Sequence, residues 1–200
     1  MSDDVINQLT SNSFTGDVNK LFMNSAKNGH TEVVNLLLKN PRVDPGSNNN
    51  YAIKWASECG HTEVVKLLLK DSRVDPGDDN NFAIRWASRN GHTEVVKLLL
   101  KDSRVDPGDD NNFAIRWASR NGHTEVVKIL LSSLKHTFNI ITYIEITTGT
   151  SDKVHMELSD EIKELLIDHV IKYRSVVKMF LVQHLTTDLA SQINHTLVTN

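Results

Sequence analysis

The chain has 200 residues, 39% of them apolar and 24% charged, with a formal net charge of -3, the composition of a folded globular protein rather than a disordered or membrane-embedded one. The near-balanced charge lacks the basic footprint that phosphate contacts need, which argues against a nucleic-acid partner. Cys59 is the sole cysteine, so an internal disulfide and a cysteine-rich zinc centre are excluded.

Residues 1–16 form an N-terminal extension with Val5, Ile6 and Leu9 at helical spacing. Its start, MSDDVINQL, is acidic where a secretory signal is basic, and no apolar run approaches the ~20 residues of a membrane span. An intracellular, cytoplasmic protein without a membrane partner is therefore expected, and with it an accidental match to the glycosylation sequon at Asn194-His195-Thr196. From Asp17, a candidate N-cap, Val18, Leu21, Phe22, Ser25 and Ala26 make an apolar or small face, and Asn28-Gly29 ends the helix. This is half of a unit that then recurs.

His30, His61, His92 and His123 are spaced by 31 residues, and Lys66 to Val96 is repeated residue for residue as Lys97 to Val127. A fixed period in the ~20–50 residue range marks a stacked repeat array. In the unit around Trp86, Asn81 is a candidate N-cap. Phe82, Ile84, Arg85, Ala87 and Ser88 form a first helix that ends at Asn90-Gly91. Thr93 opens a second helix whose Val95, Val96, Leu98, Leu99 and Leu100 make a stripe too broad for one covered side, so neighbouring units must stack on it. The segment DSRVDPGDDNN then concentrates turn-forming residues. Pro107 stops any helix, Val105 packs back on the stack, and Asp109 to Asn112 are expected to project outward.

The stretch NGHTEVVKLLL and the stretch FAIRWAS together resemble the ankyrin-repeat family, whose pattern runs T-P-L-H-x-A-A followed by G-H-x-x-V-V-x-L-L-L. The match covers residues 17–134 and recurs in register. The DP-G-DNNFAIRWAS variety is similar to ankyrin proteins of giant DNA viruses of amoebae. The period is shorter than the ~33 residues usual for the family, and Phe82-Ala83-Ile84-Arg85 lacks the Thr and His that lock the usual loop. A shortened or irregular hairpin is expected, with Arg85 taking the donor role of that His.

The resemblance implies an all-α solenoid of stacked helix-turn-helix repeats: a half-repeat cap and three full units over 17–134, then a divergent C-terminal capping region, 135–200. Within that region Asn139 to Thr147 alternates in a β-favouring way, which suggests a β-hairpin insertion near 139–158. Ser159 can cap a helix from Asp160 to Lys172 that buries Ile162, Leu165 and Leu166, the first half of a degenerate last repeat. Its second half aligns Val176 to Leu181 with Val126 to Leu131.

Candidate chemistry is sparse. Helices ~8–10 Å apart keep the repeated histidines beyond the reach of a shared zinc, so each is expected to bond a neighbouring carbonyl. Asp75 to Asn80 lacks the order of a calcium loop, and the twelfth position holds Trp86 instead of Glu. Ser88 and Ser119 stand where the family has Ala, as packing residues. No catalytic residue, metal or cofactor is expected. The stripe of Trp55, Trp86 and Trp117 is expected in the core between repeats, in preference to an exposed aromatic binding ladder.

The family resemblance implies a non-catalytic protein-interaction module, monomeric, binding a protein partner on the concave face. The corresponding positions are Glu58, Cys59, Asp78, Asp79, Asn80, Arg89, Asn90, Asp109, Asp110, Asn111, Arg120 and Asn121. Two alternatives stand beside it: an adaptor that recognises its partner through the divergent C-terminal region with the repeats as a rigid spacer, and a regulator or inhibitor of a host enzyme.

Overall fold

The computed structural model describes residues 7–8, 14–133 and 159–169. Helices follow one another in pairs: α1 (Val18–Lys27) and α2 (Thr31–Leu38), α3 (Ser47–Glu58) and α4 (Thr62–Leu68), α5 (Asp78–Arg89) and α6 (Thr93–Leu99), α7 (Asp109–Arg120) and α8 (Thr124–Ser133). A further helix, α9, spans 160–169. The described residues contain no strand, and the fold is an all-α repeat solenoid. The β-hairpin expected near 139–158, most of the N-terminal extension and the second half of the last repeat lie outside the described residues.

The first helices stack as one row, α1 on α3 on α5 on α7, and the second helices as another, α2 through α8. Helices of 7–12 residues are marginal alone, so packing decides. In α3, α5 and α7 the first helix turns Ala83, Ile84, Ala87 and Ser88, or their equivalents, fully inward, and each second helix buries Val95, Val96 and Leu99 or their equivalents. Each large aliphatic side chain buried this way is worth ~1.5–3 kcal/mol. The small residues of the first helices let neighbouring rows approach closely. At the end of the described stack, Ile162 and Leu166 of α9 join the same core, and Lys128 bonds Glu161 at 3.0 Å. Ser159 Oγ accepts from Ile162 N at 3.4 Å, the cap expected from the sequence. Asp17 likewise caps α1 through Lys20 N, at 3.0 Å.

The connections depart from the expected hairpin. Asp79, Asn80 and Asn81 have φ of 56°, 52° and 57°, and Asn48 to Asn50 and Asp110 to Asn112 adopt the same left-handed turn. Left-handed backbone costs most residues ~1–2 kcal/mol and is tolerated best by Asn and Asp. This accounts for the DDNN and SNNN strings. The turn also corrects the role of Asn81, which caps no helix. Its side chain is buried and reaches the next unit, Nδ2 donating to Asp109 Oδ2 and Oδ1 accepting from Asp106 N, both at 2.8 Å. Asn50 makes the same pair of bonds to Asp78 and Asp75. Asn112 is buried too, so the polar run from Asp109 does not project outward as a whole.

Arginines clasp the other side of each connection. Arg73 forks onto Asp71 at 2.9 and 2.7 Å and reaches back to Val43 O at 3.0 Å; Arg104 repeats this with Asp102 and Val74. The side-chain hydrogen bonds from these guanidiniums hold the Asp71 and Asp102 carboxyls below the usual carboxylate range.

The histidines join units as well. The Nε2–H groups of His61, His92 and His123 donate to Lys27 O, Glu58 O and Arg89 O, at 2.9, 2.9 and 3.0 Å. Each acceptor is the carbonyl that closes the preceding first helix, and a carbonyl can only accept, so Nε2 carries the proton. The ring also overlies the preceding glycine: a Cβ on Gly91 would stand 2.6 Å from His123 Nδ1.

A candidate binding face on the first-helix row

Since Ala83, Ile84, Ala87 and Ser88 fill the inward side of α5, the residues at i, i+4 and i+7 from Phe82 fall on the opposite side. They are Phe82, Trp86 and Arg89, all half-buried. The same holds in α7 and, with Tyr51 and Trp55, in α3. Stacking the units joins these rings into a ladder: Tyr51 to Trp55 5.5 Å, Trp55 to Phe82 6.2 Å, Phe82 to Trp86 5.4 Å, Trp86 to Phe113 6.1 Å and Phe113 to Trp117 5.7 Å between centroids. The tryptophans are therefore not core residues. The expectation that placed them there took aromatic size for burial, while Ala and Ser already fill the space between helices.

Cations line the ladder. Lys27 Nζ lies 4.3 Å from the Trp55 centroid, and Arg85 stands 5.0 Å from that of Phe113. Arg89 is held between two indoles, 4.5 Å from Trp86 and 4.8 Å from Trp117, and Arg120 lies 5.4 Å from Trp117. Such contacts contribute ~0.5–2 kcal/mol each, more as water is excluded. Some cations are neutralised along the rim: Lys54 pairs with Asp79 at 3.0 Å and Arg85 with Asp110. Arg85 also donates to Asp79 O at 3.2 Å, the loop-locking role expected of it. For the Arg89 guanidinium the described residues supply aromatic faces and no hydrogen-bond acceptor.

The positions singled out in the sequence divide by what their side chains touch. Asp78 and Asp109 are half-buried and accept from Asn50 and Asn81. Asn90 and Asn121 donate to Glu58 O and Arg89 O, at 2.9 and 2.7 Å. These four tie unit to unit. Asp79 and Asp110 are exposed rim partners of Lys54 and Arg85, and Asn80, Asn111 and Cys59 are exposed. Glu58, Arg89 and Arg120 lie on the first-helix row itself. Of the aromatic rungs, the sequence singles out the Trp55, Trp86 and Trp117 stripe but favours the core for it; the alternation of small residues at 83, 87 and 88 with large ones at 82, 86 and 89 is the signal that turns it outward.

Ser88 and Ser119 are wholly buried or nearly so, out of reach of any substrate. Among the described residues no group of three or more His, Cys, Asp or Glu side chains is placed to hold a metal ion, and no helix is long and apolar enough to cross a membrane.

A family model described as ankyrin repeats (3 copies) matches residues 2–80 and 71–142. Comparison with curated proteins finds no match.

Proposed function

Because the chain belongs to the ankyrin-repeat family, whose members generally serve as protein–protein interaction modules, we propose that it is a non-catalytic module that holds a protein partner on the first-helix row. One observation carries this reading: the continuous, half-exposed ladder of aromatic rings and stacked cations from Lys27 to Arg120. Aromatic and Arg side chains concentrate binding energy at protein interfaces. A row of them held half-open has more to gain from being covered than a charged surface does. The second-helix row presents exposed Glu94, Lys97 and Glu125 instead, with Lys97 paired to Glu94 at 2.8 Å. Exposed pairs of this kind contribute ~0–1 kcal/mol and give a partner little to bury.

On this reading the binding positions narrow to Glu58, Arg89 and Arg120 with the rings between them, rimmed by Asp79, Asn80, Asp110 and Asn111. The protein acts as a monomer inside the cell, a reducing setting in keeping with one exposed, unpaired Cys59, and is akin to the short-repeat proteins of giant DNA viruses. A photoreactive phenylalanine at Phe82 should form adducts with the partner, while the same group at Lys97 should not. Adducts at Lys97 alone would place recognition on the other row.

A further inference from the structure

We propose that two neighbouring slots of the ladder carry opposite charge and together select a polyproline-type segment of a partner protein, one bearing a basic and an acidic side chain about three residues apart. This rests on the reading of the first-helix row as the binding face. The slot between Trp86 and Trp117 holds Arg89, 4.5 and 4.8 Å from the two ring centroids. The indoles fix the guanidinium while leaving its N–H groups without an acceptor among the described residues. A guanidinium already oriented loses less freedom on pairing, and its fork fits a carboxylate.

One unit earlier the same position is Glu58, three residues after Trp55 as Arg89 is three after Trp86. The 31-residue register therefore assigns Glu58 to the slot between Trp55 and Trp86. Lys27, Arg89 and Arg120 are cationic at this position of the unit, so Glu58 is a charge reversal inside a repeated row. Its Oε2 is shielded from solvent and has no hydrogen-bond donor among the described residues. No described residue bonds or pairs with this carboxylate, and the ring faces of its slot attract a cation that can reach it at Oε1, the oxygen that is not shielded.

Spacing selects the form of the ligand. Adjacent helices lie ~8–10 Å apart, and a polyproline II segment advances about 9 Å over three residues before presenting the same side again. A β-strand would turn the third residue to the opposite side. Proline rings also suit an aromatic-lined groove.

The test uses fluorescein-labelled proline-rich peptides of one frame, carrying Lys/Glu, Glu/Lys, Lys/Lys or Glu/Glu about three residues apart. Fluorescence anisotropy follows binding to the wild-type chain and to the E58R and R89E variants, with far-UV circular dichroism checking that the variants fold. One mixed peptide should bind the wild-type chain about tenfold more tightly than either uniform one. E58R should shift the preference to Glu/Glu, and R89E to Lys/Lys. Equal binding of all peptides, or a preference that neither variant moves, overturns the proposal. If no peptide binds while Phe82 still cross-links a partner, the paired slots fall and the binding-face reading stands; cross-links only on the second-helix row would remove that reading too.

Discussion

Replacing Gly91 with Ala is expected to destabilise the chain by ~2–5 kcal/mol, because two costs add. Gly91 has φ of 75°, a conformation that costs an L-residue ~1–2 kcal/mol. The new Cβ would also meet the His123 ring at 2.6 to 2.9 Å, and forced overlap in packed structure costs ~1–3 kcal/mol. A double-mutant cycle separates the two. In a His123→Ala background the overlap is gone, so Gly91→Ala should cost only the conformational share, and urea unfolding should give a coupling of ~1–3 kcal/mol. Strict additivity would mean that the glycine is needed for its backbone alone. The overlap matters for the fold since the same ring that lies against Gly91 donates from Nε2 to Arg89 O at 3.0 Å. One glycine and one histidine are thus among the contacts that fit neighbouring units together.

Asn81→Ala should cost ~3–5 kcal/mol, against ~1–2 kcal/mol for Asn80→Ala. Both residues have left-handed backbone, at φ of 57° and 52°, so the backbone share is common to the two variants. They differ in what the side chain does. Asn80 is exposed, whereas Asn81 is 6% exposed and makes two bonds of 2.8 Å to the next unit, one of them to a carboxylate. Its loss strands Asp106 N and Asp109 Oδ2 in a partly buried interface. Equilibrium urea denaturation of the two variants checks the difference; equal costs would show that the Asn81 bonds contribute nothing beyond the turn.

The fold was legible because its signals are local and repeated. Asp17, Ser159, the Asn-Gly exits and the Val95-Val96-Leu99 stripe each act within a few residues, and the period of 31 multiplies every such signal. Asn81 was legible as a polar residue at a helix start but not as an inter-unit clasp. Its partners, Asp106 and Asp109, lie 25 and 28 residues away, a distance that propensity does not span. The same applies to the carbonyl partners of His92 and His123, 34 residues upstream.

The site was harder to read. Trp86 occupies one unit position, and whether that position is core or face depends on how much room Ala83, Ala87 and Ser88 leave between helices. Those small residues use up the gap, which pushes the indole out beside Phe113 and Arg89. Charge counting was likewise blind to the contrast between Arg85, neutralised by Asp110 of the next unit, and Arg89, which faces rings instead. The exact duplication of Lys66 to Val96 repeats the scaffold, while Glu58 alters the face at a single slot.

The most direct measurement follows the three indole N–H resonances in a two-dimensional nitrogen–proton NMR spectrum as the partner segment cross-linked at Phe82 is added. The signals of Trp55, Trp86 and Trp117 should move or broaden together, while the backbone amides of Glu94, Lys97 and Glu125 on the second-helix row hold their positions. Stationary indoles beside shifting second-helix amides would contradict binding on the first-helix face.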